Sequence, residues 1–318
     1  MPVKDRAVQV ATVTQDYREA DSADALAEET IERLEQAACR RPDIVCLPET
    51  FSGDKAEPVP GPMTERLSQW ARDRSCYLIC SIATQVGDRK FNSAVLLDRG
   101  GEIVGRYDKI HPTEGELKNG VCPGDPDPPV FRTDFGTIGI QICFDVNWRE
   151  VWAKLKDKGA EIVFWPSAYP AHRHLSALAW QNECYVVSAT KTRPSRIYDI
   201  SGEVLAQSGM FQPWADAQLH LGKRLFEIDY NVGPMRKLEQ KYGRRVLIQW
   251  YHDEDRFTLA SLDPELSVED LMAEFGILPL RPYQARCEQA IAKARARYQR
   301  SAPSPGGRAG GRGRQRPR

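Results

Sequence analysis

A chain of 318 residues with 41% hydrophobic content is long enough for one large domain or two ordinary ones. Its 44 Lys and Arg balance 44 Asp and Glu, so net charge gives no lead toward nucleic acid or a membrane. The opening MPVKDRAVQVATV is too polar for a signal peptide, and no run approaches the roughly 18 apolar residues of a membrane span. The expectation is a cytoplasmic protein whose eight cysteines stay as free thiols. Cys76 and Cys80 form a lone C-x3-C, and His172 and His174 an H-x-H with no third ligand, so no metal centre is expected.

Residues 7–13 alternate and read as a strand, and Ser22 caps a helix that Pro42 stops. DIVCLPE (43–49) is a short buried strand, and 61–75 a helix with Pro62 near its start. Residues 76–85, 91–98 and 102–110 read as strands. A Gly- and Pro-rich loop over 111–129 leads to the strand TIGIQICF, followed by a helix over 147–159. A strand at 160–169, a helix at 174–183, a strand at 184–191, a hairpin at 195–209 and a strand at 218–230 follow. This alternation predicts an α/β layered domain with mixed sheets, closing near residue 262. Residues 263–300 read as a C-terminal helical extension, and 301–318, with five Arg and no acid, as a disordered tail.

Three strands each deliver a reactive residue at or near the C-terminal end, where α/β folds gather ligands. They carry Glu49, Lys109 and Cys143. A carboxylate, an ammonium and a thiol are the parts of a cysteine hydrolase that uses no histidine. Glu49 is the candidate general base and Cys143 the nucleophile. Lys109 and the backbone N–H of Phe144 would stabilise an oxyanion. A helix beginning near Asn147 would aim its N-terminus at the sulfur and favour the thiolate, and Lys109 would push the same way.

At these stretches the chain resembles the nitrilase superfamily of carbon–nitrogen hydrolases. CLPET is similar to its glutamate motif, GRYDKIH to its lysine motif and GIQICFDVNWRE to its cysteine motif. EIVFWPSAY and QNECYVVSAT resemble the segments that follow, and the resemblance covers most of residues 5–230. It implies a four-layer α-β-β-α sandwich with two mixed sheets, no cofactor, a thioester intermediate and a homodimer or larger homo-oligomer. It also implies a second glutamate after the lysine. Glu116 has the closer spacing, and Glu114 is its rival. Two segments depart from the family pattern: Arg149 stands where a proline is frequent, and Leu178 and Gln181 replace charged residues. Phe144-Asp145, where true nitrilases often carry Trp-Glu, favours a small amide or N-carbamoyl substrate over a nitrile. A non-catalytic scaffold of the same fold is the competing class.

Phe144, Glu114, Trp148, Trp165 and Ser167 are candidate substrate-binding residues, with Tyr169 beside them. His172 and His174 read as surface residues. The Arg/Gly tail resembles nucleic-acid-binding segments in composition, but its five charges alone read as a solvated tail.

Overall fold

The computed structural model describes residues 6–15, 22–192 and 194–301. Its chain runs β1 (Ala7–Val13), α1 (Ala23–Ala37), β2 (Ile44–Cys46), α2 (Pro62–Arg74), β3 (Tyr77–Val86), β4 (Arg89–Leu97) and β5 (Ile103–Asp108). Next come α3 (Glu114–Lys118), β6 (Val130–Arg132), β7 (Thr137–Ile140), α4 (Arg149–Asp157), β8 (Ile162–Ser167) and α5 (His172–Asn182). Then follow β9 (Tyr185–Thr190), β10 (Arg196–Tyr198), β11 (Val204–Gln207), β12 (Trp214–His220) and β13 (Arg224–Glu227). The chain closes with α6 (Val232–Tyr242), β14 (Val246–Tyr251), β15 (Arg256–Ser261), α7 (Val268–Phe275) and α8 (Leu280–Ser301).

Two six-stranded mixed sheets form the centre, ordered β12-β1-β2-β3-β4-β5 and β11-β10-β9-β8-β7-β6. Strand alternation sorts their side chains into layers. Val8, Val10, Ile44, Cys46 and Ile79 of the first sheet pack against Ile138, Ile140, Ile162, Phe164 and Val187 of the second. The residues between them turn outward. Ala11, Val13, Val45 and Leu78 bury Leu34 of α1 and Leu67 and Trp70 of α2. On the far side Val163 and Val186 bury Trp152 and Leu155 of α4 and Leu175 of α5. The result is the four-layer α-β-β-α sandwich that the family resemblance implies.

The helix starts follow their local chemistry. Ser22 Oγ accepts from Ala25 N at 3.1 Å, and Pro62 opens α2, where its missing N–H costs nothing.

Two expectations are corrected. The loop after Lys109 contains α3, capped by Thr113. The single strand expected over 218–230 is two, because the turn at Leu221–Lys223 moves the chain from the first sheet into a third. That sheet, β13-β15-β14, has its own core of Phe226, Phe257 and Leu259 against Met235 and Leu238 of α6 and Leu271 of α7. Residue 262 lies between β15 and α7, which share this core. The tail at 302–318 lies outside the described residues. Among the described residues, no helix is long and apolar enough to cross a membrane.

Candidate active site

Glu49 follows β2, Lys109 follows β5 and Cys143 follows β7. The two sheets pack face to face, so these strand ends meet at one cavity of about 280 Å³ bordered by Glu49, Lys109, Glu116, Asn92 and Cys143. Lys109 is 1% exposed and Glu49 5%. The Lys109 Nζ donates to Glu49 Oε1 at 2.9 Å and to Glu116 Oε1 and Oε2 at 2.9 and 2.8 Å. An ammonium has three protons, and all three are engaged. Burial alone would lower the lysine pKa, but the Glu49 and Glu116 charges hold it above its ordinary value. Burial would likewise raise Glu116, yet the Lys109 charge and the hydrogen bonds from Lys109 and Asn92 bring it below the usual carboxylate range.

The peptides at this junction are unusual. Cys143 has φ +46° and Thr50, next to Glu49, has φ +39°, a region that non-glycine residues seldom occupy. Such backbone persists where its surroundings hold it. The buried Trp165 donates its indole N–H to the Cys143 carbonyl at 3.0 Å. Gly124 lies so close to the Lys109 loop that a Cβ there would meet Asp108 O at 2.1 Å, and its N–H donates to Lys109 O at 2.8 Å.

The thiolate expected at rest is not what the geometry favours. Cys143 opens a five-residue 3-10 turn, and α4 begins only at Arg149, so no long helix aims at the sulfur. Burial, then the Glu49 charge, push the thiol up to about 12, against a smaller pull from Lys109 and the Ser167 hydroxyl. The resting group is a neutral thiol.

Of the other expected residues, Ser167 is fully buried and hydrogen-bonds the Cys143 side chain. Trp165 is fully buried and holds the backbone of Cys143. Trp148 stacks on His111 with ring centroids 3.7 Å apart, and Phe144 meets its edge at 5.2 Å. Neither Trp borders the cavity. Glu114 points outward and pairs with Lys118 at 2.6 Å, leaving Glu116 as the glutamate at the lysine. His172 meets the Tyr198 hydroxyl at 3.3 Å on α5.

Residues 7–222 match the Carbon-nitrogen hydrolase family. The chain belongs to this family, the nitrilase superfamily. Omega-amidase NIT2 of Xenopus tropicalis is 29% identical over 238 residues, covering 64% of this chain and 85% of that protein. Deaminated glutathione amidase of Synechocystis sp. (strain ATCC 27184 / PCC 6803 / Kazusa) is 28% identical over 194 residues, covering 52% of this chain and 71% of that protein. Saccharomyces cerevisiae Nit3 shares the fold with a TM-score of 0.59 at 20% identity, covering 73% of this chain and 94% of its own. The amidase from Nesterenkonia sp. AN1 in complex with butyramide does so at 0.57 and 20%, covering 76% and 100%.

Two parts of this hydrolase's site carry no role in the sequence reading. Asn92 donates its Nδ2 to Glu49 Oε1 and to Glu116 Oε1, both at 2.8 Å. Its signal was a strand-averse amide inside the apolar run FNSAVLL. Asp145, fully buried, accepts from the Tyr107 hydroxyl at 2.7 Å, from Ile142 N at 3.0 Å and from His111 N at 2.9 Å. It ties the lysine strand to the cysteine turn. Among the described residues no group of three or more His, Cys, Asp or Glu is placed to hold a metal ion.

Proposed function

We propose that this carbon–nitrogen hydrolase cleaves small non-peptide amides through Cys143, with Glu49 as base, Lys109 as oxyanion partner and Glu116 and Asn92 as positioning residues. The observation that carries this reading is the convergence of Glu49, Lys109, Glu116 and Cys143 on one cavity. Glu49 Oε1 is held by Lys109 and Asn92, while Oε2 has no hydrogen bond among the described residues and is the oxygen free to act. It takes the thiol proton as Sγ attacks the amide carbon. The developing oxyanion draws one Lys109 N–H away from its carboxylate and meets the N–H of Phe144. Collapse expels the nitrogen, which takes the proton back from Glu49 and leaves as ammonia or amine. Water, deprotonated by Glu49, then attacks the thioester, the acid departs and the sulfur regains its proton.

Lys90 supports a finer choice of substrate. It borders the same cavity and stands two residues from Asn92 on β4, on the same face and about 7 Å further out. Among the described residues its ammonium has no ion pair. We assign it to an anionic group at the far end of the amide, a reading in line with relatives named omega-amidases. Met210 and Phe211, 73% and 97% exposed between β11 and β12, support a homodimer or larger assembly, which sedimentation would establish. The eight free thiols support a reducing, cytoplasmic compartment.

The test is ammonia release from a panel of small amides, N-carbamoyl compounds and nitriles, with and without a carboxylate. Native protein releases ammonia from amides and Cys143→Ala does not. Lys90→Glu raises KM at least tenfold for the carboxylate-bearing amides alone. Activity that survives in Cys143→Ala overturns the assignment of the nucleophile.

A further inference from the structure

The third sheet ends in an open edge. β14 (VLIQWY) pairs with β15 on one side, and among the described residues no strand lies on its other side. The Leu262 N–H donates to the Arg245 carbonyl at 2.9 Å, which fixes the pairing pattern. Leu247, Gln249 and Tyr251 turn their backbone groups toward β15, and Val246, Ile248 and Trp250 turn theirs outward. The Val246 N–H already donates to Gly243 O. Among the described residues, Ile248 and Trp250 have no backbone bond to another element, so their N–H and C=O groups form the unpaired edge. Such edges are normally guarded by a lysine, a proline or a bulge. β14 has none of these: its six residues carry no charge and no proline, and its register with β15 runs unbroken.

The two ends of β14 carry opposite charge. Gly243-Arg244-Arg245 leads into the strand, and the turn His252-Asp253-Glu254-Asp255 leads out of it. Arg244, Asp253 and Glu254 are exposed, and their side chains have no ion pair or hydrogen bond among the described residues. The strand between them is six residues long, about 20 Å. These charges therefore cannot meet within one chain.

A second copy turned about a two-fold axis brings the complement. In the antiparallel register that sets Ile248 against the partner's Trp250, the two residues exchange both backbone bonds, and symmetry repeats the exchange on the other side of the axis. Leu247 then lies opposite the partner's Tyr251, Arg245 opposite the partner's Asp253 and Arg244 opposite the partner's Glu254. A parallel copy would set Arg against Arg and acid against acid. An unrelated extended peptide would meet the same backbone edge, but nothing in the opposed charges selects it. We propose that β14 pairs antiparallel with β14 of a second copy, joining the two third sheets into one continuous sheet. The contact lies beyond residues 7–222 of the family match and involves neither Met210 nor Phe211. It names a surface for the homo-oligomer proposed above and does not rest on the amidase reading.

The test is sedimentation equilibrium of the full chain. The native protein sediments at twice the monomer mass or an even multiple of it. Ile248→Pro lacks an N–H that faces away from β15, so it leaves that pairing intact and halves the mass. Arg244→Glu and Glu254→Arg, taken singly, each set like charges across the axis and weaken association about tenfold. An equimolar mixture of these two variants returns to about the native affinity, because every Glu then faces an Arg. Each variant is checked for a native circular dichroism spectrum, and the mixing experiment decides alone if Ile248→Pro lacks one. A native chain that stays monomeric at 100 µM overturns the proposal. A folded Ile248→Pro of native mass also overturns it, as does a mixture that associates no more tightly than either variant alone. Dissociation on changing Met210 and Phe211 to Ser, with Ile248→Pro unaffected, overturns it as well and moves the interface to that patch. None of these readings uses ammonia release, so failure here is separable from failure of the hydrolase reading.

Discussion

Replacing Asn92 by Ala removes a donor that the site cannot replace. Its Nδ2 bonds both Glu49 and Glu116 at 2.8 Å. Carboxylates only accept, so the nitrogen must face them. Lys109 cannot compensate, because its three protons already go to the same two carboxylates. A hydrogen bond to a charged group contributes about 1.5–3 kcal/mol, so losing the one that holds the base predicts a fall in kcat of about 10- to 100-fold. KM moves less than threefold, because Asn92 acts through Glu49. Asn92→Asp sharpens the prediction. A third carboxylate beside two others is driven to protonate, and the protonated form donates again. Its activity relative to native therefore recovers as pH falls from 8 to 5. The assay is ammonia release with kcat and KM separated, on protein with a native circular dichroism spectrum. A kcat within threefold of native for Asn92→Ala refutes the claim that this amide positions the base.

Three further outcomes follow from the same geometry. Because the Cys143 thiol is pushed up to about 12, its alkylation by iodoacetamide rises about tenfold per pH unit from pH 7 to 10; a plateau below pH 9, read by peptide mass spectrometry, would show a preformed thiolate. Glu116 sits below its ordinary pKa, so it contributes stability above the unfolded carboxylate value that is lost as pH falls through its folded one. Glu116→Gln therefore lowers Tm more at pH 7 than at pH 3, and an equal drop at both would count against the pairing. Lys223 bonds Asp199 at 2.8 and 2.9 Å and Gln249 at 2.6 Å, joining the second sheet to the third with both charges under 5% exposed. Lys223→Ala leaves Asp199 buried and unpaired and costs about 3–5 kcal/mol in urea unfolding; a loss under about 1 kcal/mol would mean that the third sheet docks without it.

The sandwich was legible because its strands follow two simple rules, alternation and burial. Val8 and Val10 face one way and Ala11 and Val13 the other, and the sequence shows that pattern without help. The three reactive residues were legible because each sits just past such a strand. The third sheet was not, because β13 has only four residues and continues an apolar run that β12 begins. Only a turn at Gly222, with no proline to mark it, separates them. Glu116 was separable from Glu114 by space alone. Both lie in the first turn of α3, two residues apart, and two residues on a helix point to different sides. The error over Cys143 had a different cause. The sequence placed a helix start near the thiol, but could not weigh that against a site where Cys143 is 8% exposed and lies near the Glu49 charge.

That error bears on the chemistry. A thiolate at rest would add a second negative charge beside Glu49, in a cavity where Lys109 already serves two carboxylates. A neutral thiol avoids this. In the proposed reaction, the Sγ proton passes to Glu49 as the sulfur attacks, and the charge that leaves the carboxylate reappears on the substrate oxygen. Lys109 is released from Glu49 at the moment the oxyanion needs it, so the buried charge moves without increasing. Low dielectric then favours the reaction instead of opposing it, because one ammonium neutralises the same number of anions at every step. This account requires Glu49 to bear a charge that it can lose. Glu49→Gln keeps the shape and the hydrogen bonds of one oxygen but removes the proton acceptor. It is expected to abolish acylation, while Glu116→Gln retains measurable acylation. If Glu49→Gln acylates at the native rate, the proton leaves by another route and the coupling of Glu49 to Lys109 is structural.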